Sequence, residues 1–117
     1  MTPDELKGRT KLFAVEVIKF SRTLATDPVT AHFAKQLVRS GTSVGANYRE
    51  AHRARSKAEF ISKIGDCLKE ADETLYWLEL ILEESFIPGR RLQPLLNEAN
   101  ELVAILTTIS KRAKGVE

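Results

Sequence analysis

The sequence predicts an all-α protein, an antiparallel up-down-up-down four-helix bundle, and three observations lead there. Apolar residues recur at steps of three and four along four separate segments, the spacing of one face of a helix. No stretch sustains the alternation of a half-buried strand. The connections between segments are short, which makes consecutive helices antiparallel neighbours. The 117 residues then form a single domain, residues 1–117. A chain of that size buries only about two-thirds of its unfolded surface, so self-association would add burial that folding alone does not supply.

The first helix, from about Asp4 to Leu24, carries Leu6, Phe13, Val17, Phe20 and Leu24 on one face. Thr26, Asp27 and Pro28 end it and begin the next, with Asp27 as N-cap and Pro28 at the first helical position. In the second helix Phe33, Leu37, Gly41, Val44, Tyr48 and Ala51 share a face that runs straight through two glycines, Gly41 and Gly45. An interior glycine costs about 1 kcal/mol relative to alanine, so the pair marks a place where another helix comes too close for a side chain. A phosphate-binding loop would need a preceding strand and a Gly-Lys pair, and the segment has neither. Beside the apolar face Ser40, Ser43, Asn47 and Glu50 form a polar stripe, three of them mediocre helix formers. The stripe, joined by Glu70 of the third helix, is either a partly buried network between helices or subunits, or an ordinary solvated face.

The third helix repeats Ile64, Ala71 and Leu78 every seven residues beside a second series, Ile61, Leu68, Leu75 and Leu82, together a wide core stripe. Cys67, the one cysteine, lies within it and reads as a small core residue without a disulfide or zinc partner. Tyr76 and Trp77 point about 100° apart, so one of them is expected to face a partner. Residues 85–90, SFIPGR, form a turn. Leu95, Ala99, Leu102, Leu106 and Ile109 then carry a fourth helix to about Lys114, ending at Gly115, and Pro94 draws its start toward Gln93 rather than Gly89.

Apolar residues make up 43% and charged residues 29% of the chain, a balance that favours a folded domain over disorder. No uncharged apolar run reaches membrane-spanning length, and the charged N-terminus MTPDELKGRTK does not resemble a signal peptide, so a cytoplasmic protein is expected. The net charge of +2 conceals strong polarity. Residues 31–63 hold Lys35, Arg39, Arg49, Arg53, Arg55, Lys57 and Lys63 against Glu50 and Glu59, a net +5. Residues 64–86 hold seven acidic residues against Lys69, a net −6. Either the two faces pair within or between subunits, or the cations form a phosphate-binding surface. On the second reading the surface comprises Arg49, Arg53, Arg55 and Lys57 around the turn between helices two and three, with Arg39 and Lys63 on the flanking helices. It would hold RNA or DNA backbone without strong sequence preference, because Tyr48 belongs to the core stripe and no aromatics interleave with the arginines.

Catalytic and metal chemistry find no footing. His32 and His52 stand twenty residues apart on one helix, too far to share a metal. Glu70 and Glu73 share a face, but a di-metal bundle needs Glu-x-x-His on two helices. No Ser, His and Asp grouping has a recognisable local frame, so no enzyme, metal or cofactor is expected.

Arg39-Ser40, Ser43-Val44, Asn47-Tyr48, Glu50, Ser56, Glu59-Phe60, Leu68, Glu70 and Glu73-Thr74 together resemble the signature of small four-helix-bundle proteins encoded within intervening sequences of bacterial 23S ribosomal RNA genes. The chain departs from that pattern at Asp66-Cys67, where many members carry Gly-Ser, and at Glu50-Ala51, where Glu-Gly is usual. The resemblance implies a homo-oligomer, a pentameric ring, with no enzymatic activity. The accessory protein of diversity-generating retroelements is a relative that works with a reverse transcriptase and binds nucleic acid through a basic surface. A ring would repeat the basic patch on every subunit and make weak phosphate contacts multivalent. The contrasting reading is a protein-interaction scaffold with no nucleic-acid role, its charges serving assembly.

Overall fold

The computed structural model describes residues 1–84 and 87–115. Among them the chain forms four helices and no strand: α1 Pro3–Ser21, α2 Pro28–His52, α3 Lys57–Glu83 and α4 Gly89–Lys114. The cap signals act as anticipated. The Asp27 carboxylate accepts the backbone N–H of Thr30 at 3.1 Å, and Pro28 opens α2. Ser56 caps α3 in the same way through Glu59 N–H. At α1, Thr2 and Glu5 form a reciprocal capping box. Gly115, at φ 78°, adopts the left-handed conformation that closes α4.

Two boundaries differ from the sequence reading, each for a physical reason. α1 ends at Ser21, and Leu24 reaches the core from the turn that follows, where its N–H donates to the Ser21 carbonyl at 3.2 Å. A buried residue at helical spacing therefore need not be helical. α4 starts at Gly89 and carries Pro94 as its sixth residue, where the missing N–H removes a single bond near the helix end. Gly89 and Arg90 thus belong to the helix, while Ser85 and Phe86 of the expected turn lie outside the described residues.

The helices run alternately up and down. Val17 faces Gly41 while Thr10 faces Gly45; Arg39 meets Glu70 and Glu73 while Glu50 meets Lys63. Each helix packs on its sequence neighbours, and α4 closes on α1 more thinly, in a body of 45 × 23 × 21 Å. Arg9 clasps that thin seam, donating to Glu98 at 2.6 and 2.7 Å and to Glu101 at 2.9 Å, and these carboxylates hold its guanidinium pKa upward.

Phe13, Leu37, Ile64, Leu78, Leu102 and Leu106 are fully buried along the axis. In α3 the core is narrower than expected. Ile61 and Cys67 lie on opposite sides of the Ile64 line, each about 60° from it, and the bundle encloses the Cys67 side with Thr74 and Ile81. Ile61, Leu68 and Leu75 are half-buried and Leu82 is exposed. A helix touching only two neighbours has no third wall to cover a wider stripe. Burial pushes the Cys67 thiol up to about 12, that of a buried and unreactive core residue.

The glycines of α2 sit at the closest approach of α1. A Cβ at Gly41 would lie 2.8 Å from a Val17 methyl, and one at Gly45 would lie 3.3 Å from the Thr10 carbonyl oxygen. Both glycines are buried.

Candidate nucleic-acid interface

The polar stripe of α2 resolves into a latch against α3. Ser40 is fully buried; its hydroxyl lies 2.8 Å from that of Thr74 and donates to the Gln36 carbonyl at 2.9 Å. Thr74 also reaches the Glu70 carbonyl at 2.8 Å, so two hydroxyl protons serve three contacts in a dry interface. Above this pair Arg39 forks to the carboxylates of Glu70 and Glu73, and the Trp77 indole N–H donates to Glu73 at 3.1 Å. Trp77 is turned inward, edge-on to Phe33 and His32, and Tyr76 is the outward member of the pair at 54% exposed. Ser43 is half-buried and donates to the Arg39 carbonyl, Asn47 is half-buried, and Glu50 pairs with Lys63 at 3.4 Å. Sequence reasoning missed Thr74 as a network member because a threonine at core spacing looks apolar in a helical pattern.

These contacts divide the six basic residues expected to bind phosphate. Arg39 and Lys63 are neutralised by Glu70, Glu73 and Glu50, and they tie α2 to α3. Such pairs, with Arg39 46% exposed, are each worth at most about 1 kcal/mol. Arg49, Arg53, Arg55 and Lys57 are exposed and, among the described residues, make no ion pair. The turn that presents them is tight: Arg53 caps α2, the Ala54 N–H donates to the Ala51 carbonyl, and Ser56 already caps α3.

The up-down course adds cations that the sequence reading did not group with this turn. α4 ends at the same end of the bundle and carries exposed Lys111, Arg112 and Lys114 in its last turn, likewise without ion pairs among the described residues. One cleft of about 670 Å³ bridges the two sets, lined by His52, Ala54 and Phe60 on one side and by Ile105, Ile109 and Arg112 on the other. α2 and α4 do not touch each other, so their C-termini occupy diagonal corners of the end face. Cations there complement the partial negative charge of helix C-termini. Asp4, Glu5 and Glu59 sit on the first turns of α1 and α3, so positive potential is concentrated along the α2–α4 diagonal.

Among the described residues no three His, Cys, Asp or Glu side chains group as metal ligands, and no helix is long and apolar enough to cross a membrane. His32 packs against Phe33 and Trp77, whereas His52 lies beside Tyr48 at the basic end.

Comparison with known proteins accords with this architecture. The sequence model described as 23S rRNA-intervening sequence protein matches residues 5–108. A crystal structure from Bacteroides thetaiotaomicron, of a protein with unknown function from the S23 ribosomal protein family, superposes with a TM-score of 0.86 at 38% sequence identity, covering 95% of this chain and 99% of that one. No curated protein matches. With a match over most of its length and a solved relative of the same fold at 38% identity, the chain belongs to the 23S rRNA-intervening sequence protein family.

Proposed function

We propose that this chain is a non-enzymatic, self-associating cytoplasmic protein that holds nucleic-acid backbone on the basic end of its bundle. One observation carries the reading: Arg49, Arg53, Arg55 and Lys57 from the α2–α3 turn and Lys111, Arg112 and Lys114 from the end of α4 share one end face, unpaired among the described residues. Arg39 and Lys63, occupied in ion pairs, are assigned to the fold instead. Exposed Leu12, Val15 and Tyr76 supply apolar surface for assembly, and a ring, pentameric as the family resemblance implies, would repeat the basic end and convert weak phosphate contacts into avidity. RNA or DNA, alone or held by a nucleic-acid enzyme, is the partner this surface fits.

The test is fluorescence anisotropy of labelled single-stranded RNA and duplex DNA across a salt series, with light scattering on the same sample. Binding should come from a particle of several subunits and weaken steeply with salt. Reversal at Arg53 and Arg55, or at Arg112 and Lys114, should weaken binding and lower the salt slope by about 0.7–0.9 for each phosphate no longer neutralised, whereas Arg90→Glu at the opposite end should not. Unchanged affinity and slope in both reversed variants would refute the basic end as the binding surface.

A scaffold role has one observation of its own. The thin α1–α4 seam leaves a groove of about 410 Å³ lined by Leu12, Phe13, Phe20 and Leu95, an apolar surface suited to a protein partner. An assembled particle that binds no nucleic acid even at low salt would favour that reading.

A further inference from the structure

The cleft between the two basic corners is largely apolar, with Thr2, His52, Thr108 and Arg112 among its lining residues, and a core tyrosine also opens into it. Leu6, Phe60, Ile105 and Ile109 form its walls, and Tyr48 lines it from α2. Tyr48 is only 4% exposed, and its hydroxyl has no hydrogen-bond partner among the described residues. The one fully enclosed, unpartnered side-chain oxygen among them is Ser21 Oγ, so the Tyr48 hydroxyl, equally unpartnered, is not sealed in and meets the cleft. As a phenol it can both donate and accept a hydrogen bond, and burial raises its pKa further.

We infer that this cleft receives an unstacked nucleobase, with Phe60 against the ring, the Tyr48 hydroxyl at the polar edge, and the flanking phosphates on the α2 and α4 cations. The inference rests on the nucleic-acid reading and narrows it to single strands. A flat ring with a hydrogen-bonding edge fits a largely apolar slot with a few polar groups in its lining, and phosphates on both sides of that base fit cations at diagonal corners. Bases stacked and paired in a duplex cannot enter the slot without being extruded. Tyr48 thus serves both as the core residue its spacing predicts and, through its one polar atom, as a contact for a ligand.

The experiment compares three labelled probes on the full chain: a single-stranded RNA oligomer, the same oligomer with abasic sites, and the corresponding duplex. Each is titrated against the native protein and against Tyr48→Phe and Phe60→Leu, with thermal melts verifying the fold. Tyr48→Phe removes an oxygen that bonds nothing in the protein, so its melt should match the native one. Stacking on one aromatic predicts that the abasic strand binds roughly five- to a hundredfold more weakly than the intact strand. The duplex should also bind more weakly, and Tyr48→Phe should lower affinity for the intact strand alone, leaving the salt slope unchanged. Equal binding of intact and abasic strands, unaffected by either substitution, would overturn the base cleft and leave backbone binding standing. No binding of any probe at low salt would overturn both.

Discussion

Replacing Gly41 with alanine tests how tightly α1 and α2 are packed, and Gly65 and Gly8 supply the control. All three glycines lie inside helices, so alanine brings each the same intrinsic gain of about 1 kcal/mol. At Gly8 and Gly65 a Cβ would meet nothing within 4 Å, and that gain should appear undiminished. At Gly41 the Cβ would lie 2.8 and 2.9 Å from the two Val17 methyls and 3.1 Å from the Val17 Cβ. Carbon atoms settle at about 3.5–4.0 Å, so roughly 0.7 Å of separation must be found. Val17 is fully buried and its branched side chain is stiff, so α1 itself must move. Overpacking of this kind costs about 1–3 kcal/mol. Subtracting the helix gain leaves Gly41→Ala destabilised by about 1 kcal/mol. For a chain of 117 residues that is a melting temperature about 4 °C lower, against about 4 °C higher for Gly65→Ala. Urea unfolding followed by far-ultraviolet circular dichroism, with an unchanged m-value, would measure both. Val17→Ala combined with Gly41→Ala should recover part of the loss as a favourable coupling in a double-mutant cycle. If Gly41→Ala were as stabilising as Gly65→Ala, the close approach of α1 and α2 would not be the reason for the glycine.

Thr74→Val keeps the side-chain shape and removes the hydroxyl shared with Ser40 and Glu70, so it should cost about 0.5–1.5 kcal/mol; Ser40→Ala should add less than its own single effect when combined with it, read by the same unfolding assay. The Thr30 backbone N–H bound to Asp27 holds the Asp27 carboxyl below its usual value. A depressed carboxyl stabilises the fold above its unfolded pKa, about 3.9, and loses that contribution as pH falls through the lower folded value. Asp27→Asn should therefore retain the cap near neutrality and flatten the acid limb of a melting-temperature profile; an unaltered limb would mean that other carboxylates dominate it. Cys67, fully buried with its thiol pushed up to about 12, should resist a thiol-directed reagent in the native state and react at the rate of unfolding, so rapid native labelling would contradict its place in the core.

The helices and several of their ends were legible, the end of α1 and the start of α4 apart, because capping and periodicity are exchanged between residues a few positions apart. Asp27 and Pro28 announce α2, Gly115 closes α4, and the spacing of Leu37, Val44 and Tyr48 names a buried face without reference to what it packs on. Even the need for a close helix at Gly41 and Gly45 could be read from their propensity cost. What the spacing of α3 could not convey was which side of the Ile64 line would be enclosed, since Ile61 and Cys67 are equally placed about it. Nor could it convey that Leu24 would be core while lying outside its helix.

For the site the division is sharper. The order of residues alone crowds cations around the α2–α3 turn and sets acidic residues after them on α3. Which of those cations are paired was settled in three dimensions: Arg39 finds Glu70 and Glu73 more than thirty residues away, whereas Arg53 and Arg55 make no ion pair among the described residues. The folded bundle also brings Lys111, Arg112 and Lys114 to the end that carries the α2–α3 turn and sets Tyr48 and Phe60 in one cleft with Ile105 and Ile109. Charge neutralisation and cleft shape depend on distances in space, which the up-down threading of the helices sets, while helix formation depends on distances along the chain.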